Sequence, residues 1–166
     1  MRKITVGVMG GCTADERTAA GARELGRLIA VNGWVLVSGG RPTGVMQASV
    51  TGASEAGGLT VGVLYDADRD EAAAGLDIVI PTGMGAARNV INVLASEVVV
   101  ACRGTGGTLS EIALALRFGR PVVLLDFDPG EAFLRAAAPD SRWSLAETPA
   151  GAVEHVRQYL QELGRA

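Results

Sequence analysis

The sequence predicts an α/β fold: a single doubly wound, mostly parallel sheet with helices on both faces, Rossmann-like in layout. Three observations carry this expectation. Short β-rich runs alternate with helical patterns along the chain. Runs such as Val98–Ala101 and Val122–Leu125 are apolar without alternation, as strands buried on both faces must be. Glycine clusters stand where strands would pass into helices. The 166 residues suit one domain, 1–166, because no linker or repeat divides them.

Residues 3–9 read as the first strand. In Thr13-Ala14-Asp15-Glu16 the spacing of Thr13 and Glu16 matches a capping box, opening a helix that runs to Val31 and is closed by Asn32-Gly33. Residues 34–37 form a second strand, and a second helix runs from Gly44 to Ala56, stopped by Gly57-Gly58. Strands follow at 59–64 and, beyond an acidic loop, at 77–80. Then come a helix at 86–94, a strand at 97–102, a helix at 108–118 ended by Gly119, and a strand at 121–125. In the tail, 131–138 reads as a short helix and 142–145 as a short strand. Thr148-Pro149 supplies an N-cap and a first-position proline for a last helix through Leu163.

Composition narrows the function. Fifteen Lys and Arg against 18 Asp and Glu give a net charge of −3, with no basic stripe to neutralise a phosphate backbone, so nucleic acid is not an expected partner. The 48% hydrophobic content comes mostly from Ala and Val, and Asn92 and Glu97 break the apolar segment from Val90 to Cys102. No run reaches the roughly 18 residues of a membrane span, and the N-terminus lacks a signal-peptide core, so a cytoplasmic protein is expected. Cys12 and Cys102 read as buried reduced thiols, and the single His155 as a surface or half-buried residue. The segment from Asp66 to Glu71 begins like a calcium loop but carries Glu71 where the turn glycine belongs, so it reads as a solvated acidic loop. No metal site is expected.

Chemistry is expected beyond the carboxyl ends of the strands, where loops meet helix N-termini. Three glycine-rich segments occupy that position: Gly10-Gly11-Cys12-Thr13, Ser38-Gly39-Gly40-Arg41-Pro42-Thr43-Gly44 and Arg103-Gly104-Thr105-Gly106-Gly107-Thr108. Each is a candidate anion cradle, since glycine lets backbone amides approach a ligand and the helix dipole adds positive potential. Tight strand-to-helix turns also use glycine for steric reasons alone. GxxxxGK[ST] is absent, and the first turn lacks GxGxxG, which argues against ordinary NTPases and dehydrogenases. Glu111 has two readings: a site carboxylate, or the far end of a Thr108–Glu111 capping box. Arg88 is either an anion ligand or a surface residue on the first turn of its helix.

The run from Arg103 to Glu111, RGTGGTLSE, resembles the PGGxGTxxE signature of the Lonely Guy (SLOG) superfamily of nucleotide phosphoribohydrolases. Gly104, Gly107, Thr108 and Glu111 match; Arg103 stands for the proline and Thr105 for the second glycine. Gly39-Gly40 with Gly44-Val45-Met46 is similar to the family's GGGxxGLM segment, and Arg88 matches its upstream arginine. The segment Thr82-Gly83-Met84-Gly85-Ala86-Ala87-Arg88-Asn89-Val90-Ile91-Asn92-Val93 is closest to the molybdenum cofactor carrier branch.

The resemblance implies a ligand site built from Gly10 and Gly11, from Ser38, Gly39 and Gly40, and from Gly44, Val45 and Met46. It adds Arg88 and Asn89, and the run Arg103, Gly104, Thr105, Gly106, Gly107 and Thr108. A carrier would hold the phosphate and pterin of the molybdenum cofactor there as bound cargo and break no bond. The alternative is a phosphoribohydrolase, in which Arg88 fixes the phosphate or ribose of a nucleoside 5'-monophosphate and Glu111 aligns water or stabilises the ribosyl centre. Arg103 and Thr105 depart from the hydrolase pattern. The resemblance further implies a homodimer or homotetramer, with Val90/Leu94 and Ile112/Ala115/Leu116 as candidate apolar faces.

Overall fold

The computed structural model describes residues 2–165. Seven parallel strands form one sheet in the order β4-β3-β2-β1-β5-β6-β7. They are β1 (Thr5–Met9), β2 (Val35–Ser38), β3 (Thr60–Leu64), β4 (Ile78–Pro81), β5 (Val98–Ala101), β6 (Val122–Leu125) and β7 (Trp143–Ala146). Between and after them run α1 (Glu16–Val31), α2 (Gly44–Glu55), α3 (Asn89–Leu94), α4 (Gly106–Arg117), α5 (Glu131–Ala137) and α6 (Pro149–Glu162). The doubly wound α/β expectation therefore holds, and every expected strand and helix is present.

Continuous apolar strands are explained by two cores. Val98 and Val100 face one layer with Leu25 and Ile29 of α1, Val45 of α2 and Val156 of α6. Val99 and Ala101 face the other, with Val93 of α3, Ile112 and Leu116 of α4 and Leu134 of α5. Because side chains alternate along a strand, a strand packed on both sides must be apolar at every position.

Several local expectations are corrected. The N-cap of α1 is Asp15, whose Oδ1 accepts from the Thr18 amide at 2.7 Å, not Thr13. The expected helix at 86–94 opens as a 3-10 turn, Gly85–Arg88, before α3 begins. Helix α4 starts at Gly106 rather than Thr108, so Thr108 lies inside the first turn and no Thr108–Glu111 capping box forms. Ile112, Ala115 and Leu116 are 0%, 0% and 3% exposed in the protein's own core and offer no interface. Cys102 is buried as expected, but Cys12 is exposed. Asp66 and Glu71 are not simply solvated: Arg41 pairs with them at 3.0 and 3.7 Å. At the far end, Thr148 caps α6 through the Gly151 amide, as the sequence indicates. No helix among the described residues is long and apolar enough to cross a membrane.

Candidate functional site

Strand order reverses between β1 and β5, since the chain moves outward from β1 through β2, β3 and β4 and then returns to β1's other edge. Loops leaving neighbouring strands in opposite directions open a crevice at such a point. A cleft of about 160 Å³ lies there. Gly10, Gly11 and Cys12 follow β1, Gly39 follows β2, and Met46 comes from α2. Arg88 and Asn89 enter from the 3-10 turn and α3, and Thr105, Gly107, Thr108 and Glu111 from the tip of β5 and α4. Val8 and Met9 complete it.

Backbone bonds knit the three glycine loops together. The Gly11 amide donates to Arg103 O at 3.0 Å, and the Val45 amide to Gly11 O at 3.0 Å. The glycines serve two purposes. A Cβ on Gly104 would strike the Thr108 side chain and lie 2.9 Å from the Gly11 nitrogen; one on Gly39 would strike the Arg88 guanidinium and lie 2.7 Å from Met46 Sδ. Those glycines let the protein close on itself. At Gly106 and Gly107 a Cβ would meet nothing within 4 Å. Thr105 gives α4 no side-chain cap, which leaves the first-turn amides of Gly106, Gly107 and Thr108 as open donors at the positive end of the helix dipole.

The remaining expected site residues frame the cleft without lining it. Ser38 is fully buried and its Oγ accepts from the Gly40 amide at 3.0 Å. Gly40 takes a positive φ of 73° and its Cβ position lies 2.9 Å from Gly62 Cα. Gly44 and Val45 seat α2 on the carbonyl of Gly11. Arg103 and Gly104 brace the first loop.

Arg88 is the most unusual side chain in the cleft. It is 7% exposed, yet it forms no hydrogen bond or ion pair with any described residue, and its buried Nε has no partner. The alternative of a surface arginine is therefore overturned. Its guanidinium carbon lies 5.6 Å from the centroid of the Tyr65 ring, which also receives Arg41 at 4.8 Å. Burial pulls its pKa below the usual arginine value, opposed by the charges of Glu111, Tyr65 and Asp66.

Glu111 is 6% exposed, and its Oε1 accepts from Asn92 Nδ2 at 3.0 Å. Burial pushes its carboxyl up to about 7, with Asn92 and then Arg88 pulling the other way. Asn89 is anchored to α4 through Ser110 Oγ at 2.9 Å. A desolvated guanidinium, open amides and a carboxyl whose ionisation burial disfavours together favour an oxyanion.

Sequence reading missed Val8, Met9 and Tyr65, and it held Cys12 and Arg41 only as members of glycine-rich loops, not as site residues. Cys12 was within reach, because it belongs to a glycine loop at a strand tip. Tyr65 directly follows β3 on the same edge of the sheet, but only the fold brings its ring against Arg88.

A family model described as the SLOG cluster4 family matches residues 3–153. Among solved structures, the molybdenum cofactor binding protein of Rippkaea orientalis is 42% identical, with a TM-score of 0.90, covering 96% of this chain and 99% of that one. The molybdenum cofactor carrier protein of Chlamydomonas reinhardtii is 43% identical, with a TM-score of 0.86 and the same coverages. An uncharacterized protein of Archaeoglobus fulgidus is 44% identical over 125 residues, 75% of this chain and 82% of that protein.

Proposed function

Since the chain belongs to the SLOG cluster4 family, we propose that it binds the molybdenum cofactor as cargo, with the phosphate end in the cleft between β1 and β5. The observation that carries this reading is Arg88: a nearly buried guanidinium whose Nε has no hydrogen-bond partner is costly unless a ligand completes it. The first-turn amides of α4 add donors, and the open space beyond Gly106 and Gly107 leaves room for an oxyanion. The likeness to cofactor-binding and carrier proteins at 42% and 43% identity supports the pterin cofactor as the ligand. Bound there, the cofactor is held rather than converted.

The same proposal treats 1–166 as one domain working in the cytoplasm, where Cys12 and Cys102 stay reduced. It also includes self-association as a homodimer or homotetramer. With Ile112, Ala115 and Leu116 buried, the apolar groups left for contact include Leu94, Ile78 and Ile80, at 45%, 44% and 42% exposure.

The test is direct. Purified protein mixed with the free cofactor should retain molybdenum through gel filtration and slow its oxidation. Failure to bind any pterin removes the proposal. Release of free base and ribose 5-phosphate from a nucleoside 5'-monophosphate, lost in Glu111→Gln, would replace it with the hydrolase reading.

A further inference from the structure

We propose that Cys12 is a metal-facing contact of the cleft, a soft sulfur donor that meets the molybdenum end of the cargo while Arg88 and the α4 amides hold its phosphate. This rests on the cofactor reading above. Cys12 is an exposed free thiol on the loop after β1, and it lines the same cleft as Arg88. Arg88, 7% exposed with an unpartnered Nε, independently marks that cleft as one that receives a ligand.

Two further sulfur side chains, Met9 and Met46, line it as well. The chain has four Met and two Cys, so half of its sulfur-bearing side chains surround one cleft. Core packing accounts for Met9, which is 1% exposed. It does not account for Cys12, where an exposed position has no packing need for sulfur.

Thiolate and thioether groups select soft metal centres, whereas amides and guanidinium groups select oxyanions. The molybdenum cofactor offers both chemistries, a phosphate and a sulfur-bound metal. A cleft of about 160 Å³ is smaller than the roughly 300–1,000 Å³ of pockets that enclose a whole drug-sized ligand, so it would take up part of the cofactor rather than enclose it. If Cys12 meets the metal, its Sγ–H proton would pass to solvent and the thiolate would fill a coordination position that solvent would otherwise take. No oxidation state changes.

The experiment uses the full chain with two probes, the molybdenum-loaded cofactor and metal-free molybdopterin, and reads both binding by equilibrium dialysis and iodoacetamide labelling of each cysteine. Cys102 is 2% exposed, so it serves as the unreactive internal control. With free loaded cofactor about tenfold above its Kd, labelling of Cys12 should slow about tenfold. Cys12→Ser should weaken the loaded cofactor by at least about tenfold more than it weakens metal-free molybdopterin, since losing even an outer partner of a metal ligand costs that much and the metal contact exists only in the loaded form. An unchanged labelling rate while dialysis shows the cleft occupied overturns the inference and leaves the cofactor reading intact. So does a Cys12→Ser protein that loses no more affinity for the loaded cofactor than for metal-free molybdopterin. If neither probe binds wild-type protein, the cofactor reading falls and this inference falls with it.

Discussion

Glu111 carries the clearest pH signature at the scale of single residues. Its carboxyl moves from an ordinary 4.5 up to about 7 because burial disfavours the charged form. Below pH 4.5 both folded and unfolded chains are protonated there and the group contributes nothing. Between 4.5 and about 7 the unfolded chain releases a proton that the folded one keeps, so stability falls; above 7 the loss is complete. A shift of that size amounts to about 3 kcal/mol. Urea unfolding of wild type should show this decline from pH 4.5 to 7, and Glu111→Gln should not; parallel profiles would contradict the assignment. Ionised Glu111 also adds negative charge beside the bound phosphate, so affinity for a phosphorylated ligand should drop above pH 7 in wild type and stay level in Glu111→Gln. Sequence spacing suggested Glu111 as either a cap or a site carboxylate, and the structure removes the cap: α4 starts at Gly106, and the Glu111 carboxylate accepts from Asn92 of a different helix.

Helix α4 shows how an element can be visible in the sequence and its start misplaced. Gly106-Gly107 are poor helix formers, so the pattern favours a start at Thr108, a residue with capping chemistry. The structure begins the helix two residues earlier, which aims open amides at the cleft instead of capping them. The two kinds of glycine in this loop give a paired prediction. Gly107→Ala should keep or raise Tm, by the few tenths to one kcal/mol typical of such a change, because its Cβ meets nothing, while it crowds the ligand and weakens binding. Gly104→Ala should lower Tm, because its Cβ would strike Thr108 and approach the Gly11 backbone. Calorimetry on both variants separates the roles, and a destabilised Gly107→Ala would contradict them. At α1, Asp15→Ala should cost about 1 kcal/mol through the lost cap, whereas Thr13→Ala should be close to neutral.

For the whole molecule, alternating patterns made the seven strands legible, and the double burial of central strands such as β5 and β6 made the sheet's parallel character legible too. Strand order was not, because no local signal says that β5 returns to the edge of β1. The convergence of the Gly10, Gly39 and Gly107 loops with Arg88 is a consequence of that order, so the site's members could be named from motifs while their mutual contacts could not. Edge strand β4 leaves Ile78 and Ile80 44% and 42% exposed on one face. If self-association covers them, Ile80→Asp should shift sedimentation to the monomer without unfolding the chain. A nearly buried Arg88 whose Nε has no hydrogen-bond partner is a cost that a bound oxyanion would offset. The decisive measurement is therefore Arg88→Met, followed by thermal unfolding and by affinity for molybdopterin. An unchanged or higher Tm together with affinity reduced by about 10- to 100-fold, the range of a lost charge-assisted hydrogen bond, is the expected result. Wild-type affinity in that variant would contradict the site.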